Sequence, residues 1–171
     1  MRQNDATEQG KQTAGQWLLD GTVSAGPIGS RGKSDLTALC ALCRRLDMDE
    51  DEHPAAQLLL DQLWLLRREG DEAVAKLRGL GRLPAVRLHG RCARVQLLGE
   101  LAAQEAGAWT ADVLLAYLRG VQSAAPLWEN ELCALFPCLI LGVVRQIREI
   151  ASHITEDGAV EELQACFAAL G

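Results

Sequence analysis

Aromatic side chains are scarce in this sequence: two Phe, one Tyr and four Trp make up 4% of it. Strands draw on aromatic and β-branched residues, so the scarcity argues against a fold built mainly of sheet. A long hydrophobic run is also missing. The most apolar stretch, Leu132 to Val144, is thirteen residues between Glu131 and Arg145. A helix that spans a bilayer needs about 20, so this stretch reads as a buried core helix and no direct membrane span is expected. The first fifteen residues lack the apolar core of a secretory signal. Positive charge is in the minority, with 17 Lys and Arg against 23 Asp and Glu and a net charge of −6. Nucleic-acid binders show the opposite balance, because phosphates call for Lys and Arg, so no nucleic-acid partner is expected. There is no P-loop, no G-x-G-x-x-G and no G-x-S-x-G.

Leucine and alanine supply most of the apolar mass, and both favour helices. The pattern predicts an all-α fold: a compact bundle of about six or seven helices, residues 34–171, behind a disordered N-terminal arm, residues 1–33. The arm is rich in Gly, Ser, Gln and Thr and holds one apolar island, Trp17-Leu18-Leu19. Ser34 is placed to cap a first helix, and Pro54 suits the first turn of a second. Gly70 reads as the end of that second helix, and Asp71 as the cap of a short third one. RLPAVRLHG, residues 82–90, reads as an irregular linker. Helices are expected from Arg91 to a stop at Gly107, after a Thr110 cap, from Leu127 to about Ile154 with a kink or a new start at Pro137, and from Ala159 to Leu170. The core expected from these stripes includes Leu59, Leu63, Leu98, Leu101, Leu114, Tyr117, Leu132 and Leu139.

Charge is unevenly placed. Six acidic and no basic residues lie from Asp47 to Asp61, and eight basic residues lie from Arg67 to Arg94 against Glu69, Asp71 and Glu72. These read as two oppositely charged surfaces. The arginines from Arg82 to Arg94 could attract a phosphate, but no glycine-rich loop is placed to cradle one and no aromatics are interleaved for base stacking. Six cysteines without a signal peptide point to free thiols in a reducing, cytoplasmic compartment. Cys40 and Cys43 have C-x₂-C spacing, and His89 and Cys92 have H-x₂-C spacing. The four would make a tetrahedral zinc set. The alternative is that they are packing thiols, since CALC sits in an almost wholly apolar helical stretch without knuckle glycines. Cys133, Cys138 and Cys166 also read as packing residues. His53, His89 and His153 have no partner at motif spacing, and Glu129 and Glu131 diverge on a helix. No catalytic, cofactor-binding or metal site is therefore expected, with the zinc set the exception to test.

The order of motifs from Pro54 to Ala151 resembles the helical region near the N-terminus of cyclic β-1,2-glucan synthases. That region runs P-A-A-E-W-L-L-D-N, then a basic-acidic helix, then a loop ending L-P; here stand PAAQLLLDQ at 54–62 and RLP at 82–84. A P-R-V-Y turn leads into a helix ending E-L-V-A-H-T-D-G, where this chain has Arg94-Val95 and GELAAQEAG. A helix ending A-Y-Q, then P-L-T-x-G-E-L-W-A-L-P and L-x-E-N-L-R-R-L-A, correspond to YLRGVQ, PLWENELCALFP and VVRQIREIA, without length change from Pro126 to Ala151. There are departures: Gln104-Glu105-Ala106 replaces His-Thr-Asp, Cys133 replaces Trp, and the proline falls one residue later, at Pro137. The resemblance implies a scaffold segment of a large glucosyltransferase that uses UDP-glucose. The donor-binding acids and membrane spans of that family lie outside the matched region. The expectation is a separated or truncated piece, or a small relative that kept the helical domain. Its partner would be the glycosyltransferase or phosphorylase-like domain of the same system, a membrane-bound enzyme. A stand-alone helical protein–protein interaction module is the alternative, and a small zinc protein the third reading.

Overall fold

The computed structural model describes residues 3–46, 53–87, 91–105, 109–154 and 159–170. Among these residues lie seven helices and three short strands: α1 (Gln3–Gly15), β1 (Leu19–Ser24), α2 (Gly26–Leu46), α3 (Pro54–Gly79), β2 (Arg82–Arg87), β3 (Arg91–Ala93), α4 (Arg94–Gln104), α5 (Ala111–Ala124), α6 (Glu129–Ser152) and α7 (Ala159–Ala168). The helical class holds, and the sheet is a small addition to it. The acidic run at 47–52, His89 and the expected stop at Gly107 lie outside the described residues.

α6 is the centre of the fold and packs against α2, α3, α4 and α7. It is the described helix whose length and composition would let it cross a membrane, and a little over half of its apolar window is buried among its neighbours. Its buried side carries Ala134, Cys138, Ile140, Val144 and Ile147. Pro137 does not end it. The proline removes one N–H from the ladder, yet the helix runs on to Ser152.

Several boundaries differ from those expected. Residues 3–33, expected as a flexible arm, carry α1, β1 and the start of α2. Ser34 is an exposed residue inside α2, not its cap. α3 continues through Gly70 and Asp71 to Gly79. Gly70 is a packing residue, since a Cβ there would lie 2.7 Å from Leu36 Cδ1. Asp71 is exposed and pairs with Lys33 at 2.7 Å. Pro54 does begin α3, with His53 as the cap: its Nδ1 accepts from the Ala55 N–H at 3.3 Å. Thr110 caps α5 as expected, accepting from the Val113 N–H at 3.4 Å.

The expected linker is β2, the middle strand of an antiparallel sheet in the order β1-β2-β3. Proline in a central strand removes a ladder donor. Here Pro84 faces Thr22, where the β1 register is broken between Leu19 and Thr22. Gly21 lies in that irregularity at φ 70°, a conformation that favours glycine.

α1 escapes a reading by hydrophobic periodicity because its buried stripe is only Ala6, Gly10 and Ala14. The small residues let its backbone approach that of α5. A Cβ on Gly10 would lie 2.2 Å from Tyr117 O, and one on Gly120 would lie 2.0 Å from Thr7 O. Thr7 Oγ1 also donates to Ala116 O at 3.2 Å. Gly120→Val is expected to force the two helices apart, at a cost of about 1–3 kcal/mol. Amide exchange over residues 3–15 should then accelerate while α4 and α6 keep their protection. Unchanged exchange in α1 would mean that it does not pack on α5 as described.

Candidate functional site

The most strongly bonded polar feature lies where α4 meets the turn between α5 and α6. Arg94 opens α4, and Glu131 stands in the first turn of α6. Their side chains are 2% and 0% exposed. Arg94 Nε donates to Glu131 Oε1 at 2.5 Å, and Nη2 to Oε2 at 2.6 Å. The second nitrogen also donates to Pro126 O at 2.7 Å. Glu131 Oε2 accepts the Trp128 N–H at 2.8 Å, which satisfies an orphan donor at the start of α6. Gln122 Oε1 accepts the Leu127 N–H at 3.0 Å. A buried ion pair resists its desolvation cost when the fork geometry is good and the remaining donors and acceptors are bonded, as they are here. The arrangement closes a turn. Its carboxylate is 0% exposed and accepts from Arg94 and from the Trp128 N–H, the arrangement of a structural ion pair.

A second feature is apolar. A cleft of about 360 Å³ lies between α4, α5, α6 and the end of α7, lined by Ala102, Trp109, Leu114, Phe136, Leu139 and Val143 among others. Thr110 is the main polar group there. Beside it Trp128, the cap of α6, and Leu132 and Phe136 on α6 are each more than half exposed and spaced by four residues. Residues four apart share a helix face, so the three make one apolar stripe. Leu132, expected in the core, is on this stripe. Cys133, expected as a packing thiol, is exposed. Of the other expected core residues, Leu59, Leu98 and Tyr117 are buried, and Leu63, Leu101, Leu114 and Leu139 are half-buried.

The zinc set is not brought together. Cys40 is half-buried and Cys43 buried near the end of α2, while Cys92 is half-buried on β3 beside Arg31. Arg31 precedes Cys40 by nine residues, about 13 Å along a helix. His89 lies outside the described residues. Among the described residues no three His, Cys, Asp or Glu side chains converge as a metal site would need. Burial pushes the thiols up, Cys43 to about 11, Cys138 to about 12 and Cys166 to about 11. Such thiols are inert packing groups at neutral pH. His53 and His153 both serve helix ends: His153 closes α6, with Nδ1 3.3 Å from Glu149 O. Glu129, Glu161 and Glu162 are exposed.

The Arg94–Glu131 pair, 37 residues apart in sequence, had no signal in periodicity or composition. Its one trace was the motif pattern, which contains both residues. No family model matches the chain, and neither curated proteins nor solved structures give a match.

Proposed function

We propose that this chain is a non-catalytic helical scaffold in a cyclic β-1,2-glucan synthase-like glucosyltransferase system, seated against that system's catalytic domain. One observation carries the reading. The residues that gave the sequence resemblance between Arg94 and Glu131 engage one another: the Arg of the P-R-V-Y pattern bonds the Glu of the G-E-L-W pattern. The Gln that ends A-Y-Q holds the main chain of the P-L that follows it. Shared motifs that hold helices together are the materials of a scaffold. The stripe at Trp128, Leu132 and Phe136 offers that scaffold an apolar face for its partner.

Purified chain mixed with the glycosyltransferase domain of such a system is expected to bind it, and Leu132→Glu with Phe136→Glu to abolish the binding without unfolding the chain. The chain alone, incubated with labelled UDP-glucose and divalent metal, is expected to yield no labelled glucan. Glucosyl transfer from a nucleotide donor needs charge neutralisation at the leaving diphosphate and a base at the acceptor hydroxyl. Turnover above a boiled control, lost on mutating residues of this chain, would overturn the scaffold reading. The apolar cleft favours a second reading, a stand-alone interaction module. An adjacent reading frame that continues the synthase separates the first reading from the second.

A further inference from the structure

A cleft of about 350 Å³ lies between the sheet and the first turns of α2, and three arginines from three elements line it: Arg31 from α2, Arg82 from β2 and Arg91 from β3. No carboxylate is among its lining residues, in a chain with a net charge of −6. Two of the guanidinium groups are held in place by neutral acceptors. Arg82 Nε donates to Thr22 Oγ1 at 2.7 Å and Nη2 to Thr22 O at 2.9 Å. Arg91 Nε donates to Asp20 O at 2.7 Å. Arg91 also lies over Gly21, where a Cβ would meet Nη2 at 2.3 Å, so the bare glycine at φ 70° makes room for it.

Acceptors of this kind fix the side chains without cancelling their charge. The Asp20 carboxylate is 3.8 Å from Arg91 and lies closer, at 2.9 Å, to Arg87. Behind Arg31, Asp35 pairs with Arg148 at 2.7 Å and Glu100 with Arg145 at 2.6 Å. Among the described residues neither Arg31 nor Arg82 is in an ion pair. The cleft therefore concentrates positive charge, and the rotamers of Arg82 and Arg91 are already partly fixed there. A guanidinium so fixed loses less entropy when it forks onto an oxyanion. The α2 N-terminus adds only its dipole, because the N–H groups of Gly26, Ile28 and Gly29 are bonded to Ser24 and Ala25.

We propose that this cleft binds a small phosphate-bearing ligand, with Arg31, Arg82 and Arg91 as its recognition groups. A multiply charged oxyanion matches three guanidinium groups on the walls of one cleft; a cationic ligand finds no carboxylate among the lining residues. The proposal does not depend on the scaffold reading, since the lining residues lie on β1, α2, β2, β3 and α4 and none is on the Trp128–Leu132–Phe136 stripe.

The test uses the full chain and pyrophosphate as the probe, followed by titration calorimetry and by the arginine Nε–Hε signals in NMR. Saturable binding is expected, with the Arg82 and Arg91 signals shifting. Arg31→Gln is expected to weaken it by about tenfold or more, the loss of one charge-assisted contact. Arg91→Gln should do the same, and thermal melts check that each variant is folded. Arg119→Gln, an exposed arginine on α5, is the control and should change nothing. Inorganic phosphate should bind more weakly than pyrophosphate at the same residues. No saturation by about 10 mM pyrophosphate would overturn the proposal, as would an equal loss in the Arg119→Gln control. Binding of a short single-stranded oligonucleotide through these arginines, with none of pyrophosphate, would also overturn it and make the groove a nucleic-acid surface.

Discussion

Glu131→Ala is expected to destabilise the chain by about 3–5 kcal/mol, the usual cost of removing one member of a buried ion pair. The change would strand the Arg94 guanidinium, 2% exposed, with only the Ala125 and Pro126 carbonyls as acceptors. It would also release the Trp128 N–H that Glu131 accepts at the start of α6. Total stability of a domain this size is about 5–15 kcal/mol, so the loss would shift the urea midpoint far to lower concentration at unchanged slope. The loss should come from isolating a charge, not from the pair being a large net stabiliser. Replacing both partners with apolar residues, Arg94→Met with Glu131→Leu, is therefore expected to cost less than Glu131→Ala alone. A loss below about 1 kcal/mol for Glu131→Ala would show that Arg94 finds other partners and that the junction is not as tightly coupled as its geometry states.

What was legible in the sequence follows from which interactions are local. The α3 start at Pro54, the Thr110 cap and the apolar character of α6 depend on neighbours within a few residues, and each was readable. Helix class follows from the same local propensities. α1 was not readable, because its buried stripe of Ala6, Gly10 and Ala14 has meaning only beside Gly120. Gly70 reads as a stop for the same reason: glycine marks a helix end or a close approach, and the Leu36 side chain that decides between them is 34 residues away. β2 was hidden by Pro84, which is tolerated where the β1 pairing is broken opposite it. The arginine cleft needs Arg31 to be brought across from a segment whose composition reads as a flexible arm. The zinc set shows the converse, since suggestive spacing at 40–43 and 89–92 does not place Cys40 and Cys43 beside Cys92.

Leu98 and Leu132 both read as core leucines, yet they are expected to respond in opposite ways. Leu98 is 3% exposed and Leu132 is 52% exposed. The ion pair sets this difference. A helix turns by about 100° per residue, so burying Glu131 against Arg94 points the next residue outward. Ala134 and Cys138 then fall inside with Glu131, and Leu132 and Phe136 fall outside. Periodicity alone favours the reverse phase, with leucine in and glutamate out, because it cannot know that the glutamate has a buried partner 37 residues earlier. Leu98→Ala is accordingly expected to cost about 2–5 kcal/mol through lost burial and the cavity left behind. Leu132→Ala should stay within about 0.5 kcal/mol, as exposed substitutions do. Urea unfolding of the two variants reads both numbers. Equal losses would mean that α6 sits in the other phase, which would also remove the stripe on which partner docking depends. A neutral Leu132→Ala that nonetheless weakens association with the catalytic domain would separate the face from the core at a single residue.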